Sequence, residues 1–213
     1  MIYDAAKIPS VQRQQVTYVA GLDLAMERDS SALSVLRCQK APDGSIRLSL
    51  AHLDRWWASY PETHRHVVQT LSRPPLPGRC LLAVDSTGVG LSWVETFKLD
   101  PQVRQLVGDD RLVPVTITAG RAVTRSGQFL RVGKHRLISE LRTALARKTL
   151  TISKHLHFLP ELLAELDGFE AQVRTSGSLA MGNNPKLVKH DDLVLSVAIG
   201  VVAARVVFGE VER

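Results

Sequence analysis

Short apolar runs closed by polar or turn residues organise the first half of the chain. Thr17-Tyr18-Val19-Ala20-Gly21-Leu22-Asp23 is a β-favouring run ending in an acid. Ser31–Gln39 and Ile46–Leu53 have the same character and are split by Pro42-Asp43-Gly44, in which each residue favours a turn. These three segments predict an antiparallel meander. Pro61–Ser72 follows as a helix, with proline suited to its first turn, and the cluster Pro74-Pro75-Leu76-Pro77-Gly78 ends it. Cys80–Asp85 is a continuous apolar run closed by an acid, the pattern of a strand buried on both faces. Beyond it the pattern predicts a helix over Val89–Leu99, a fifth strand over Leu112–Thr118 and a helix over Gly133–Ala146. In that last helix Leu137, Leu141 and Leu145 recur every fourth residue. Pro160–Leu166 is a short helix, and the acids of Lys189-His190-Asp191-Asp192 precede an apolar stretch of helix length. The order predicts an α/β fold with a mixed five-stranded sheet flanked by helices, in one domain over 17–213. Residues 1–16 are polar and aperiodic and read as a tail or linker.

Composition agrees with a globular enzyme-sized domain: 213 residues, 45% hydrophobic and 23% charged. Cys38 and Cys80 are far apart and form no metal-binding pair, so a reduced setting without a thiolate zinc site is expected. The first residues lack an apolar signal core. No uninterrupted apolar run approaches the length of a bilayer span, so no membrane partner is expected.

Three acidic positions share one feature. Asp23 ends the first strand, Asp85 ends the fourth, and Asp191-Asp192 open the last helix. Carboxyl ends of strands border the crevice where an open α/β sheet binds ligands. If the first and fourth strands are neighbours, their acids meet and repel, and a divalent cation resolves the repulsion. Hard oxygen donors without cysteine point to Mg²⁺ or Mn²⁺. Each acid alone reads equally well as an ordinary strand-end or helix-start residue, and Asp191 with its neighbour as a helix cap. Adjacent helical residues diverge by about 100°, so Asp191 and Asp192 share one site only in an irregular first turn or by serving different ions.

Together these residues resemble a family. Gly21-Leu22-Asp23-Leu24-Ala25, Asp29-Ser30-Ser31-Ala32, Val84-Asp85-Ser86-Thr87-Gly88-Val89-Gly90, Val132-Gly133-Lys134-His135-Arg136-Leu137-Ile138 and His190-Asp191-Asp192-Leu193-Val194 look like the nuclease domain of the large terminase subunit of tailed double-stranded DNA phages. The resemblance runs from about Thr17 to Val207. It implies an RNase H-like fold with an added β-hairpin, and a metal-dependent endonuclease that cuts concatemeric viral DNA when packaging begins and ends. By that resemblance Asp23, Asp85 and one or both of Asp191 and Asp192 are catalytic and hold two ions, with Asp23 bridging them. It further implies double-stranded DNA, an ATPase motor, a portal protein and a small terminase subunit as partners, in the host cytoplasm. One departure stands: no G-x-x-x-x-G-K-[ST] phosphate loop occurs in these residues, so the chain reads either as an isolated nuclease domain or as a stand-alone relative.

Charge adds to this picture through its position. The formal net charge is +6, yet Ala119–Lys154 alone carries nine basic residues against the single acid Glu140. A basic segment draws DNA phosphates toward a site its acids would repel. Arg121, Arg125, Arg131 and Lys134 are the candidate phosphate contacts, while Arg142, Arg147 and Lys148 read as a solvated helix face. Gln172–Lys186 reads as a hairpin or loop; in the resembled family a β-hairpin here lies near the active site, which by analogy puts Arg174, Lys186 and Lys189 on DNA backbone.

Ser86–Gly90 lacks the third glycine and the later acid of a dinucleotide site and reads as a tight turn aiming Asp85. His64 and His66, His155 and His157, and Trp56-Trp57 read as surface or packing residues. Two other functions stand beside it: a junction resolvase or transposase-type RNase H-like nuclease, which shares the acids and metals, and a non-catalytic DNA-binding module of a packaging complex, in which the acids are structural. An actin-like or sugar-kinase-like domain would need two lobes, for which the chain is too short.

Overall fold

The computed structural model describes residues 17–25, 29–120, 122–173, 179–183 and 190–208. The expected tail at 1–16 lies outside them. Its meander is β1 (Tyr18–Asp23), β2 (Ser31–Lys40) and β3 (Ile46–Trp56), all antiparallel neighbours. The chain continues through α1 (Tyr60–Leu71), β4 (Cys80–Asp85), α2 (Gly90–Leu99), α3 (Pro101–Val107), a single 3₁₀ turn and β5 (Leu112–Thr118). It then forms the hairpin β6 (Val123–Ser126) and β7 (Phe129–Gly133), α4 (Lys134–Ala146), β8 (Leu150–Ile152) and α5 (Leu159–Gly168). A second hairpin, β9 (Phe169–Val173) and β10 (Leu179–Asn183), precedes α6 (Asp192–Phe208).

The main sheet has eight strands in the order β6-β7-β5-β4-β1-β2-β3-β8, and β9-β10 form a separate pair. All five strands read from the sequence are at its centre; β6, β7 and β8 extend its edges. Those three are four, five and three residues long. Their brevity leaves little periodicity to read, and α3 was missed for the same reason. The expected helix boundaries hold to within two residues. The β9-β10 backbone hairpin falls where the resemblance implied one.

Period-two alternation sorts the central strands onto two cores. Ala20, Leu22, Leu82 and Val84 face α1–α3 with Val67, Leu71, Trp93, Phe97 and Val107. Val19, Leu81, Ala83, Val113 and Val115 face α4 and α6. Helix α6 is apolar all round and is sunk into this second core, where its whole circumference is buried. Its approach to the sheet needs glycine: a Cβ on Gly21 would lie 2.0 Å from the Ser196 carbonyl oxygen and 2.7 Å from the Gly200 nitrogen. The Ser34 hydroxyl donates to that same Ser196 carbonyl at 3.0 Å. Among the described residues no helix is long and apolar enough to cross a membrane. Cys38 and Cys80 are free and buried, and burial pushes both thiols up to about 12.

Candidate active site

The alternation that fills the cores also aims the acids. Asp23 is two residues beyond Gly21 and four beyond Val19, so it projects toward α6; Asp85 follows Leu81 and Ala83 in the same way. β1 and β4 pair in parallel with Leu22 opposite Val84, so both strands end together and the two acids are side by side. The condition set by the sequence, that the first and fourth strands be neighbours, is met.

Asp85 is held by the turn that follows it. The Thr87 N–H donates to Asp85 Oδ1 at 2.8 Å, and the Thr87 hydroxyl accepts from the Ile117 N–H of β5 at 2.9 Å. Gly88 has φ of +57°, and a Cβ on Gly90 would lie 1.8 Å from the Asp85 carbonyl oxygen. Only glycine lets α2 start this close to the end of β4. Ser86–Gly90 is the tight turn expected.

Helix α6 brings the acidic pair. The Asp191 carbonyl accepts from the Leu195 N–H at 2.9 Å, so Asp191 stands at the helix cap. The two side chains diverge, as adjacent helical positions require. Asp191 pairs with Lys134 Nζ at 2.9 Å. Asp192 accepts from the Ser30 hydroxyl and lies 3.7 Å from Arg55 Nε and 3.8 Å from His190 Nδ1. Lys134 arrives because β7, in parallel register with β5, ends at Gly133 and α4 begins at once.

These groups converge electrostatically on Asp23. Its carboxyl is held well above the usual carboxylate range, first by burial, then by the charges of Asp85, Asp192 and Asp191; Lys134 opposes them. Burial also raises Asp85, against the Thr87 hydrogen bonds and the Lys134 charge. Burial raises Asp192 against Ser30, Arg55 and His190, and Asp191 adds to the rise. Among the described residues no three His, Cys, Asp or Glu side chains are gathered tightly enough to cage one ion, because the carboxylates are shared among Thr87, Lys134, Ser30 and Arg55. The donor chemistry still suits a hard divalent cation. Four carboxylates from three parts of the chain lie within each other's field, and burial together with the charges of the other three holds the innermost well above the ordinary carboxylate range.

Sequence reasoning missed Arg55 and Glu165. Arg55 leaves β3 on the α6 side and forms a buried ion pair with Glu165 of α5. Glu165 also accepts the Val194 N–H, an otherwise unsatisfied donor in the first turn of α6, at 3.0 Å. An arginine near the end of an apolar strand was the available signal; nothing local named its partner. Ser30 carries no signal of its own beyond the Asp29-Ser30-Ser31-Ala32 motif, and Lys134, expected on phosphate, stands against Asp191.

The remaining basic residues are dispersed. Arg125 Nε donates to the Gly127 carbonyl at 2.8 Å, and Arg131 is exposed on β7. Arg142, Arg147 and Lys148 are exposed on or just beyond α4, as expected of a solvated face. Arg136 and Arg205 both pair with Glu140. Arg121, Arg174, Lys186 and Lys189 lie outside the described residues. His64 and His66 each bond an aspartate, Asp100 and Asp54, at 2.9 Å and belong to packing. Trp56 packs on His66 with its Nε1 donating to Thr63, whereas Trp57 is 56% exposed beside His190.

No protein-family profile and no curated protein matches the chain. Solved structures do. The large terminase nuclease of thermophilic phage G20c, with bound magnesium, superposes with a TM-score of 0.57 at 20% identity, over 87% of this chain and 80% of that one. The Thermus phage P74-26 large terminase nuclease domain gives 0.53 at 17% identity, over 86% and 77%. The large terminase nuclease domain of bacteriophage SPP1, with bound Mn, gives 0.50 at 13% identity, over 95% of each chain. The fold is therefore that of large terminase nuclease domains, the RNase H-like architecture that the motifs implied.

Proposed function

We propose that this chain is a divalent-metal-dependent DNA endonuclease that cuts concatemeric viral double-stranded DNA at the start and end of genome packaging. One observation supports the reading: Asp85, Asp191 and Asp192 all act electrostatically on Asp23, which ends β1 beside the end of β4. The shared fold supports it, as do the magnesium and manganese of the G20c and SPP1 nucleases.

In this reading Asp23, Asp85 and Asp192 hold Mg²⁺ or Mn²⁺, with Asp191 completing a two-ion set. When bound, such ions would supply the activation of a water for in-line attack on phosphorus and the charge stabilisation of the leaving 3′ oxygen. The protein's own part is to fix the oxygens: the Thr87 turn orients Asp85, and Ser30 and Arg55 orient Asp192. Lys134, released from Asp191, places a positive charge beside the scissile phosphate. Arg125 and Arg131 contact flanking phosphates, and Arg121, Arg174, Lys186 and Lys189 join them on the strength of their charge. The implied partners are an ATPase motor, a portal protein and a small terminase subunit, in the host cytoplasm.

The test is cleavage of supercoiled plasmid with Mn²⁺ and with EDTA, by the wild type and by Asp23→Ala. Nicking and linearisation that need both the metal and Asp23 are expected. Cutting that survives either change overturns the reading. A strong preference for four-way junctions over linear duplex would transfer it to a resolvase-type nuclease.

A further inference from the structure

Arg55 and Glu165 stand behind the acidic cluster rather than in it. Their side chains are 7% and 1% exposed, and they come from β3 and α5, remote in sequence from each other and from α6. A buried ion pair is costly to assemble, and replacing it by apolar residues often stabilises a protein. This one touches the cluster at both ends. Glu165 Oε2 accepts the Val194 N–H, two residues beyond Asp192, and Arg55 Nε lies 3.7 Å from Asp192 Oδ2. Ser30 binds the same Oδ2. The side chain and the backbone that carries it are thus tethered to one unit.

We propose that Arg55 and Glu165 are positioning residues, a buried couple that fixes the orientation of Asp192 and of the α6 terminus and so sets how tightly the site takes a divalent ion. The proposal rests on the metal-dependent reading above. Glu165 retains the guanidinium between two carboxylates, which keeps Arg55 from closing onto Asp192 as a simple ion pair. The planar fork of arginine can face both acids at once; a lysine ammonium is a point charge and cannot do so in the same way. Groups of this kind, which orient metal ligands without touching the metal, typically account for about 10- to 100-fold in affinity.

The test is Mn²⁺ binding to the DNA-free chain, followed by electron paramagnetic resonance, for the wild type, Arg55→Lys and Glu165→Gln. Glutamine is nearly isosteric and can still accept the Val194 N–H, so it keeps the test open should the lysine variant fail to fold. Urea unfolding in EDTA is measured beside it. The expected result is Mn²⁺ affinity about tenfold or more weaker in a folded variant, with the Mn²⁺ requirement for plasmid cleavage shifted upward in parallel and the rate recovering toward wild type at saturating metal. Wild-type affinity in a folded variant, whatever its stability, overturns the proposal and leaves the pair a structural element. A wild type that binds no Mn²⁺ is a different failure, that of the metal-dependent reading itself.

Discussion

Gly21 of β1 and Gly200 of α6 meet backbone to backbone, with no room for a side chain on Gly21. This contact decides how deeply α6 sits against the sheet. It therefore also decides where the acids that open α6 stand relative to Asp23, two residues after Gly21. Gly21→Ala should destabilise the chain by about 3 kcal/mol or more, at the upper end of overpacking costs, because the obstructing atoms are backbone and cannot rotate away. Gly44→Ala is the control: its φ is +84° but nothing lies within 4 Å, so only about 1–2 kcal/mol of backbone strain is expected. Urea unfolding measures both.

Asp23 should trade stability for activity. Asp23, Asp85 and Asp192 all hold protons more tightly in the folded chain than at the ordinary carboxylate value of 3.8. The folded state thus binds more protons than the unfolded state from that value up to the raised ones. The stability these groups contribute is complete below the window and is lost as pH rises through it. In EDTA, Asp23→Asn should melt above the wild type at about pH 8 and level with it at about pH 4, while its plasmid cleavage falls about a hundredfold or more. A variant that melts at or below the wild type at the higher pH would contradict the electrostatic account.

Divalent metal should reverse that penalty. Mn²⁺ or Mg²⁺ at about a hundred times its dissociation constant should stabilise the wild type by about 2.7 kcal/mol, and Asp23→Asn by much less. Thermal melts across a metal titration separate the two; equal shifts would place the binding elsewhere.

Lys134 faces Asp191, and its charge counteracts the rise at both Asp23 and Asp85. Lys134→Met should lower stability in EDTA by about 1 kcal/mol at pH 8, the scale of a partly exposed ion pair. Toward pH 4, as Asp23 and Asp85, whose carboxyls are held above the ordinary range, take up protons, the loss should be smaller. A loss independent of pH would mean that Lys134 acts by packing alone.

Arg131 is exposed on β7 and should add to duplex affinity as a phosphate contact. Arg131→Ala should weaken binding of all duplex sequences alike and reduce the salt slope by about one unit. Fluorescence anisotropy at several salt concentrations reads both, and an unchanged slope would remove Arg131 from the interface.

The hydrophobic pattern by itself determined the five central strands, five of the six helices around them, and the positions of Asp23, Asp85 and the Asp191-Asp192 pair at element ends. It could do so because burial acts locally: strand and helix periods are written within a few residues, and an acid that closes an apolar run is visible without its neighbours. Only the tertiary structure decided what those acids meet. The pairing of β1 with β4 spans more than fifty residues of intervening chain, and the Lys134–Asp191 and Arg55–Glu165 pairs span 57 and 110 positions in the sequence. Which buried charge answers which is set by how sheets and helices pack, and an ion pair leaves no periodic trace in either partner's segment. Gly21 and Gly200 show the same division: each glycine is legible as an interruption in its run, but that the two interruptions coincide in space, and so lower α6 onto the site, emerges only when the helix crosses the sheet.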